Sequence, residues 1–434
     1  MKLAVHAPGR LEVRTVPVAD PGDLLSRLPH PTALAWVRHG DGLVGWGETA
    51  RLELPGGHDR FAAADAWLAE TFGSAEVEDP LRLPGTGPVA FGSFGFDPKS
   101  ADSVLIVPRY VLGRRDGHAW VTTIGDPHDD SPDALDSLDA LAGALGAPRA
   151  DGPPPAAFAP VAPGRLTWSD GARSAPSWAQ AVQAATARIR DGHLGKVVLA
   201  RDLIAHADRP IDARVLLHRL ADRYPTCYTF AVAGLVGATP ELLIRRAGAQ
   251  VDSLVLAGTT ARGTTPADDE ARAATLFRSA KDREEHSYAV DMVRDALAPL
   301  CTDLDVPAEP ELLRLSNVTH LASPVHGRLA ADRTVLDVLG ALHPTPAVAG
   351  TPTERALDLI RELEGMDRGR YAGPVGWVDA RGDGEWGIAL RCAELSGTRA
   401  RLFAGCGIVA DSDPAAELAE ASNKFRAMRY ALEG

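Results

Sequence analysis

The amino-acid sequence predicts an α+β fold. Stretches with the two-residue apolar period of strands and stretches with a helical stripe are interleaved along all 434 residues. They alternate irregularly, without the strand–helix–strand rhythm of a wound parallel sheet. No segment repeats at the periods of solenoid folds. With 45% hydrophobic residues the chain can bury a large core, and its length is compatible with one large domain or with two to three ordinary ones.

Residues 1–150 read as sheet-rich. The stretch 34–48 gives two strands around a turn placed at Asp41-Gly42. A helix follows over 58–72, then strands over 88–98, 103–112 and 119–124. The Gly-Phe pairs near Phe91–Phe96 fit close strand packing, and no catalytic constellation is evident in this part. Residues 132–145 read as a short helix. Asp151-Gly-Pro-Pro-Pro marks 151–175 as a linker or surface loop, which divides two domains or is an excursion from one.

The remaining part, 176–434, carries the chemistry. A helix over 177–191 with Ser177 as its cap leads to an apolar strand over 196–204. Further strands are expected over 228–232, 235–238, 239–244, 250–256, 312–321, 323–329, 370–378, 386–393 and 400–409. Helices are expected over 211–224, 265–278, from 279 onward, over 334–342 and over 353–363. Near the end, Gly405-Cys406-Gly407 reads as a turn between a strand and a helix that Pro414 opens, with cap oxygens from Asp411, Ser412 and Asp413.

Bulk composition narrows the function. A formal net charge of −13 lacks the basic face of a nucleic-acid binder. Cys227, Cys301, Cys392 and Cys406 form no CxxC pair, so reduced thiols in a cytoplasmic protein are expected, with no disulfide frame or zinc site. No apolar h-region opens the sequence, and no run reaches the roughly 18 apolar residues of a membrane span.

Several charges stand where apolar residues belong. Lys196 begins a strand of nearly pure apolar character; desolvation there favours its neutral, basic form, whereas a lysine at a strand edge snorkels to water. Glu241 heads an apolar run after Thr239-Pro240, either as an acid with a raised pKa or as an exposed turn residue. Arg391 ends another apolar strand, and with Tyr371 it would make a carboxylate clamp; each also reads as a surface residue. His320 alternates with apolar neighbours, as a pocket or a core histidine does. Glu417 and Glu420 lie three apart on one helix side with Lys424 four further on, and Asp282 and Glu285 repeat the spacing on another helix. Each pair reads as a solvated helix face or as half of a cation site.

The assembled motifs resemble those of the chorismate-utilising enzymes, and most closely the isochorismate synthases. They run in the family's order over about 178–432: Lys196-Val-Val-Leu-Ala-Arg201, Thr239-Pro-Glu-Leu-Leu243, Leu256-Ala-Gly-Thr259, Lys281-Asp-Arg-Glu-Glu-His286, Val318-Thr-His-Leu321, His343-Pro-Thr-Pro-Ala-Val348, Arg370-Tyr-Ala-Gly-Pro-Val-Gly-Trp377 and Gly405-Cys-Gly-Ile-Val-Ala-Asp-Ser-Asp-Pro414. The resemblance implies one large α+β domain, two sheets with helices packed outside, enclosing a deep active site. It implies Mg²⁺ held by Glu285 and Glu420 with support from Asp282 and Glu417. Tyr371 and Arg391 would take a carboxylate of the substrate, chorismate, beside Gly405, Gly407 and Lys424; Gly258, Thr259, His320 and Ala347 fall in motifs lining the same site. Lys196 would be the base that activates water, and Glu241 the acid that protonates the departing hydroxyl.

The resemblance also separates relatives. Aminodeoxychorismate synthases carry a nucleophilic lysine where this chain has Ala257, and anthranilate synthases tend to lack a basic residue at the Lys196 position. Salicylate synthases tend to carry threonine at the position of Ala347. Cys406 departs from the small residue more usual in the family. The implied product, isochorismate, feeds menaquinone or siderophore biosynthesis. The family implies a monomer whose partner is its small-molecule substrate.

Overall fold

The computed structural model describes residues 4–6, 10–125, 160–314, 318–331 and 333–434, without the side chains of residues 4–6, Lys281 and Glu285. The helix expected over 132–145 and the Pro-rich start of the 151–175 stretch lie outside the described residues. Later in that stretch, Leu166–Asp170 is an edge strand paired with Leu203–Ala207.

Two large sheets form the frame, and both draw strands from the beginning and the end of the chain. In the first, of 11 described strands, Val89–Ser93 pairs with Pro374–Asp379, which continues through Gly384–Ile388, Leu242–Ala247 and Gln250–Ala261 to Val318–Leu329. In the second, of 13, Lys196–Ala207 pairs with Arg399–Ile408, which continues through Cys392–Ser396, Leu235–Thr239 and Tyr228–Val232 to Leu34–Arg38. This is the α+β architecture of one domain with two sheets and outer helices. Its sheets are joined by polar as well as apolar contacts. Trp36 Nε1 of the second sheet donates to Glu385 Oε2 of the first at 2.8 Å, and Arg115 Nη2 donates to Glu385 Oε1 at 2.9 Å. Trp36 stacks on Tyr228 at 4.8 Å. A carboxylate buried between sheets is tolerated because both its oxygens are occupied.

Helices pack on the sheets through their apolar faces. Ala175–Arg190 packs on Lys196–Ala207, Thr353–Leu363 and Pro414–Lys424, burying Trp178, Val182, Ala185 and Ile189. Ala213–Arg223 packs on Arg426–Glu433, and Ala280–Leu297 on Gln250–Ala261. Several expected boundaries move for local reasons. The hairpin turn is His39-Gly40, both with positive φ, and Asp41-Gly42 belongs to the following strand. A two-residue turn of that hand matches the twist of the strands it joins. Ser174, not Ser177, caps its helix, because Pro176 fits the first turn. Gly405 and Gly407 lie in strand, not in a turn, and the turn follows at Val409–Asp413, where Asp413 supplies the cap.

One buried ion pair ties three segments together. Arg368 and Glu364 are each 2% exposed, and Arg368 Nη2 meets Glu364 Oε1 at 2.6 Å. The guanidinium also donates to the carbonyls of Val198 (2.7 Å) and Val348 (2.9 Å), while Glu364 accepts from the Ala200 amide at 2.7 Å. Its Cζ lies 4.1 Å from the centroid of the Phe96 ring. Breaking such a pair strands a buried charge. Arg368→Ala is therefore expected to cost about 3–5 kcal/mol in a denaturant melt. Arg188→Ala, which removes the exposed Arg188–Glu362 pair, is expected to cost about 0–1 kcal/mol.

Candidate active site

The site is built on the pairing of Lys196–Ala207 with Arg399–Ile408, in the register Val198↔Gly407 and Ala200↔Gly405. Phe403, Gly405 and Gly407 share one face of their strand. A methyl group added at Gly407 would lie 2.9 Å from Lys196 Cε, and one added at Gly405 would lie 3.0 Å from the Tyr371 hydroxyl. The lysine chain and the phenol therefore cross bare backbone, and Tyr371 is stacked on Phe403 at 5.0 Å and 6°. Burial pushes the Tyr371 phenol up, so it acts as a hydrogen-bonding group and stays protonated.

Glu241 lies at the head of Leu242–Ala247 in the other sheet. It retains accessible surface while protein surrounds it on all sides, as a residue lining a deep cleft does. Burial pushes its carboxyl up to about 7, against the opposing pull of Arg391 and Lys196. Arg391 stands in the left-handed region, φ 49°, where its strand breaks between Ile388 and Cys392. That kink is a cost accepted by functional residues more than by framework ones. Arg391 and Lys424 both act on His320, whose imidazole is held down to about 4, first by burial and then by these charges. His320 is thus neutral, with Nδ1 2.8 Å from Thr259 Oγ1 across the sheet. The strand bulges at Gly258, φ 77°, and a methyl group there would lie 3.4 Å from Asp282 Cβ. Ala347 sits in the turn before Gly350–Thr351, the short strand that pairs with Lys196 and Val197.

On the final helix, Lys424 Nζ is 2.6 Å from Glu420 Oε1 and donates to the Gly405 carbonyl at 2.7 Å. The Ser412 hydroxyl donates to Glu417 Oε1 at 2.7 Å. Glu417 and Glu420 each place a carboxylate oxygen within 4.8 Å of the other and of Cys406 Sγ. Carboxylates steadied by neighbouring donors suit a hard divalent cation, which takes oxygen ligands and waters. The Glu285 side chain lies outside the described residues, although its backbone is in the Ala280–Leu297 helix beside Asp282.

The structure thus brings Lys196, Glu241, Arg391, Tyr371, His320, Lys424 and the two glycines toward one cleft. Sequence reasoning missed the Glu364–Arg368 pair, the Ser412 hydroxyl that holds Glu417, and the Phe403 stack. The i,i+4 spacing of Glu364 and Arg368 was a visible signal, but it is indistinguishable from a surface pair without knowing their burial.

A cleft between two large sheets that gathers a lysine, an arginine and an acid poised near neutrality has the form of an enzyme site for an anionic substrate. The chain belongs to the chorismate binding enzyme family, whose model matches residues 13–433. It is 44% identical over 362 residues to a candidate isochorismate synthase, MenF, of Mycobacterium tuberculosis, covering 80% of this chain and 87% of the relative. It is 37% identical over 414 residues to the salicylate biosynthesis isochorismate synthase of Pseudomonas aeruginosa, covering 92% and 84%. Among solved structures, the menaquinone-specific isochorismate synthase MenF of Escherichia coli superposes with a TM-score of 0.78 at 27% identity, covering 100% of this chain and 96% of that one.

Two glycines of this region should respond differently to substitution. A methyl group at Gly350, φ 137°, would stand 2.2 Å from the Lys196 carbonyl, so Gly350→Ala is expected to lose about 1–3 kcal/mol of stability. At Gly407 the obstacle is the end of a flexible lysine chain, so Gly407→Ala should melt like the parent and lose turnover. Thermal melts beside initial rates check both.

Proposed function

We propose that the chain is an isochorismate synthase, an isomerase that converts chorismate to isochorismate with Mg²⁺ as its cofactor. The family and the names of its relatives support the reaction. The observation that carries the chemistry is the pairing of Lys196 with Glu241 in one cleft, the acid with its pKa raised to about 7. A base and an acid are both needed, because one hydroxyl enters the ring as another leaves.

In this reading Lys196 takes a proton from the water that attacks C2. The ring double bonds shift, and Glu241 gives its proton to the hydroxyl departing from C4. Water is gained and lost once, so the product is an isomer and the reaction runs both ways. Arg391 and the Tyr371 hydroxyl hold a substrate carboxylate, and the bare backbone at Gly405 and Gly407 lets the ring approach closely. Glu285 and Glu420, with support from Asp282 and Glu417, would hold the Mg²⁺, which when bound supplies charge neutralisation at a second carboxylate. Ala257 offers no amine nucleophile, which sets the site apart from amine-capturing relatives. Its isochorismate would feed menaquinone or siderophore biosynthesis, since a menaquinone-specific and a 2,3-dihydroxybenzoate-specific isochorismate synthase both superpose over nearly the whole chain.

Incubation with chorismate and Mg²⁺ is expected to yield isochorismate by chromatography. Salicylate fluorescence would overturn the pure isomerase reading, and undiminished turnover after removal of divalent metal would overturn the cofactor. Lys196→Ala and Glu241→Gln are each expected to lower turnover by about 10²–10⁴-fold. The acid must be protonated to act, so its contribution is present at low pH. Activity should therefore fall as pH rises through about 7, and the residual activity of Glu241→Gln should lack that limb.

A further inference from the structure

The helix Arg60–Gly73 begins without a cap. Asp59 precedes it but places no side-chain oxygen on its first turn, and no acid follows in that turn. The Ala63 amide donates to the Asp59 carbonyl at 2.8 Å, which leaves the amides of the turn before it pointing out of the helix end. Arg60, the first residue of the helix, is 4% exposed and folds back over this end. Its Nη1 is 3.5 Å from the Gly57 carbonyl, its Cζ is 5.0 Å from the centroid of the Phe61 ring, and its Nε has no partner. Among the described residues it forms no ion pair. The carboxylate that acts on it, Asp97, is held by Arg361 Nε and Nη2 at 2.7 and 2.8 Å. Burial lowers the guanidinium to about 10, so it keeps its charge at neutral pH. His343 supplies no opposite charge, because burial and then Arg60 hold its imidazole down to about 3. A buried cation without an anion is unfavourable, and this one stands where the helix dipole adds further positive potential.

We propose that Arg60 and the open amides at the start of its helix form a binding site for a small oxyanion of the phosphate type. A guanidinium fork and helix-end amides match the oxygens of such an ion better than they match a spherical halide. None of these residues belongs to the cleft, so the site stands whether or not the isomerase reading does. It adjoins the frame of the cleft through Phe96, whose carbonyl accepts from His343 Nε2 at 2.9 Å and whose ring lies against the Arg368 guanidinium.

The test uses the substrate-free full chain and inorganic phosphate, read by calorimetric titration and by thermal melts against chloride at equal ionic strength. The parent is expected to bind phosphate saturably and to melt higher as phosphate rises. Arg60→Met, which keeps an apolar stem and removes the charge, should bind at least about tenfold more weakly. Without phosphate it should melt at or above the parent, because an unpaired buried charge has gone. Arg391→Gln removes a cation of the cleft and should keep the phosphate site, which separates the two. No saturable binding in the parent, an equal response to chloride, binding kept in Arg60→Met, or binding lost in Arg391→Gln would each overturn the site. So would an Arg60→Met chain that melts well below the parent without phosphate, since that assigns Arg60 to the framework alone.

Discussion

The active cleft depends on the buried Glu364–Arg368 pair. Burial of two charges is unfavourable unless every donor and acceptor is met, and here the partners that meet them are the framework of the site. The Val198 carbonyl and Ala200 amide belong to the strand that Lys196 begins; the Val348 carbonyl belongs to the turn that holds Ala347. The Arg368 carbonyl in turn accepts from the Tyr371 amide at 3.1 Å. The strand that Lys196 begins and the turn that holds Ala347 are thereby fixed to one ion pair, three residues before Tyr371. The pair's contribution is to position more than to net stability.

A second constraint is electrostatic. The chain carries a formal charge of −13, yet its cleft gathers Lys196, Arg391 and Lys424 around a single poised acid and a neutral histidine. Those cations make the cleft attractive to an anion while the outer surface remains acidic. They also explain why Glu241 can be raised without being raised further: burial favours its neutral form, and Arg391 and Lys196 pull the other way. The pKa of a general acid is set by such a balance, and the residues that set it are those that would meet the substrate.

Much of this was legible in the sequence. Lys196, Glu241 and Arg391 stand out because each interrupts or ends an apolar run, and the helices expected over 353–363 and from 279 onward are present as Thr353–Leu363 and Ala280–Leu297. What periodicity cannot show is which charges face each other, since strands from opposite ends of the chain supply them. Glycine content misled in two places. Asp41-Gly42 resembles a favoured hairpin turn, but His39-Gly40 takes it. Gly405 and Gly407 look like a turn, but they are strand residues left bare so that Tyr371 and Lys196 can lie across them. The helix that Pro414 opens ends at Lys424, and a separate helix, Arg426–Glu433, follows Phe425.

The central claim is that Glu241 is a protonated acid held beside Lys196 and Arg391 in the resting enzyme. Infrared difference spectroscopy of the parent against Glu241→Gln isolates the stretch of that one carboxyl group. The account predicts a protonated carboxyl signal that persists through mildly acidic pH and disappears with a midpoint near 7. A Glu241 carboxyl that is ionised in the ordinary carboxylate range, about 4, would contradict it.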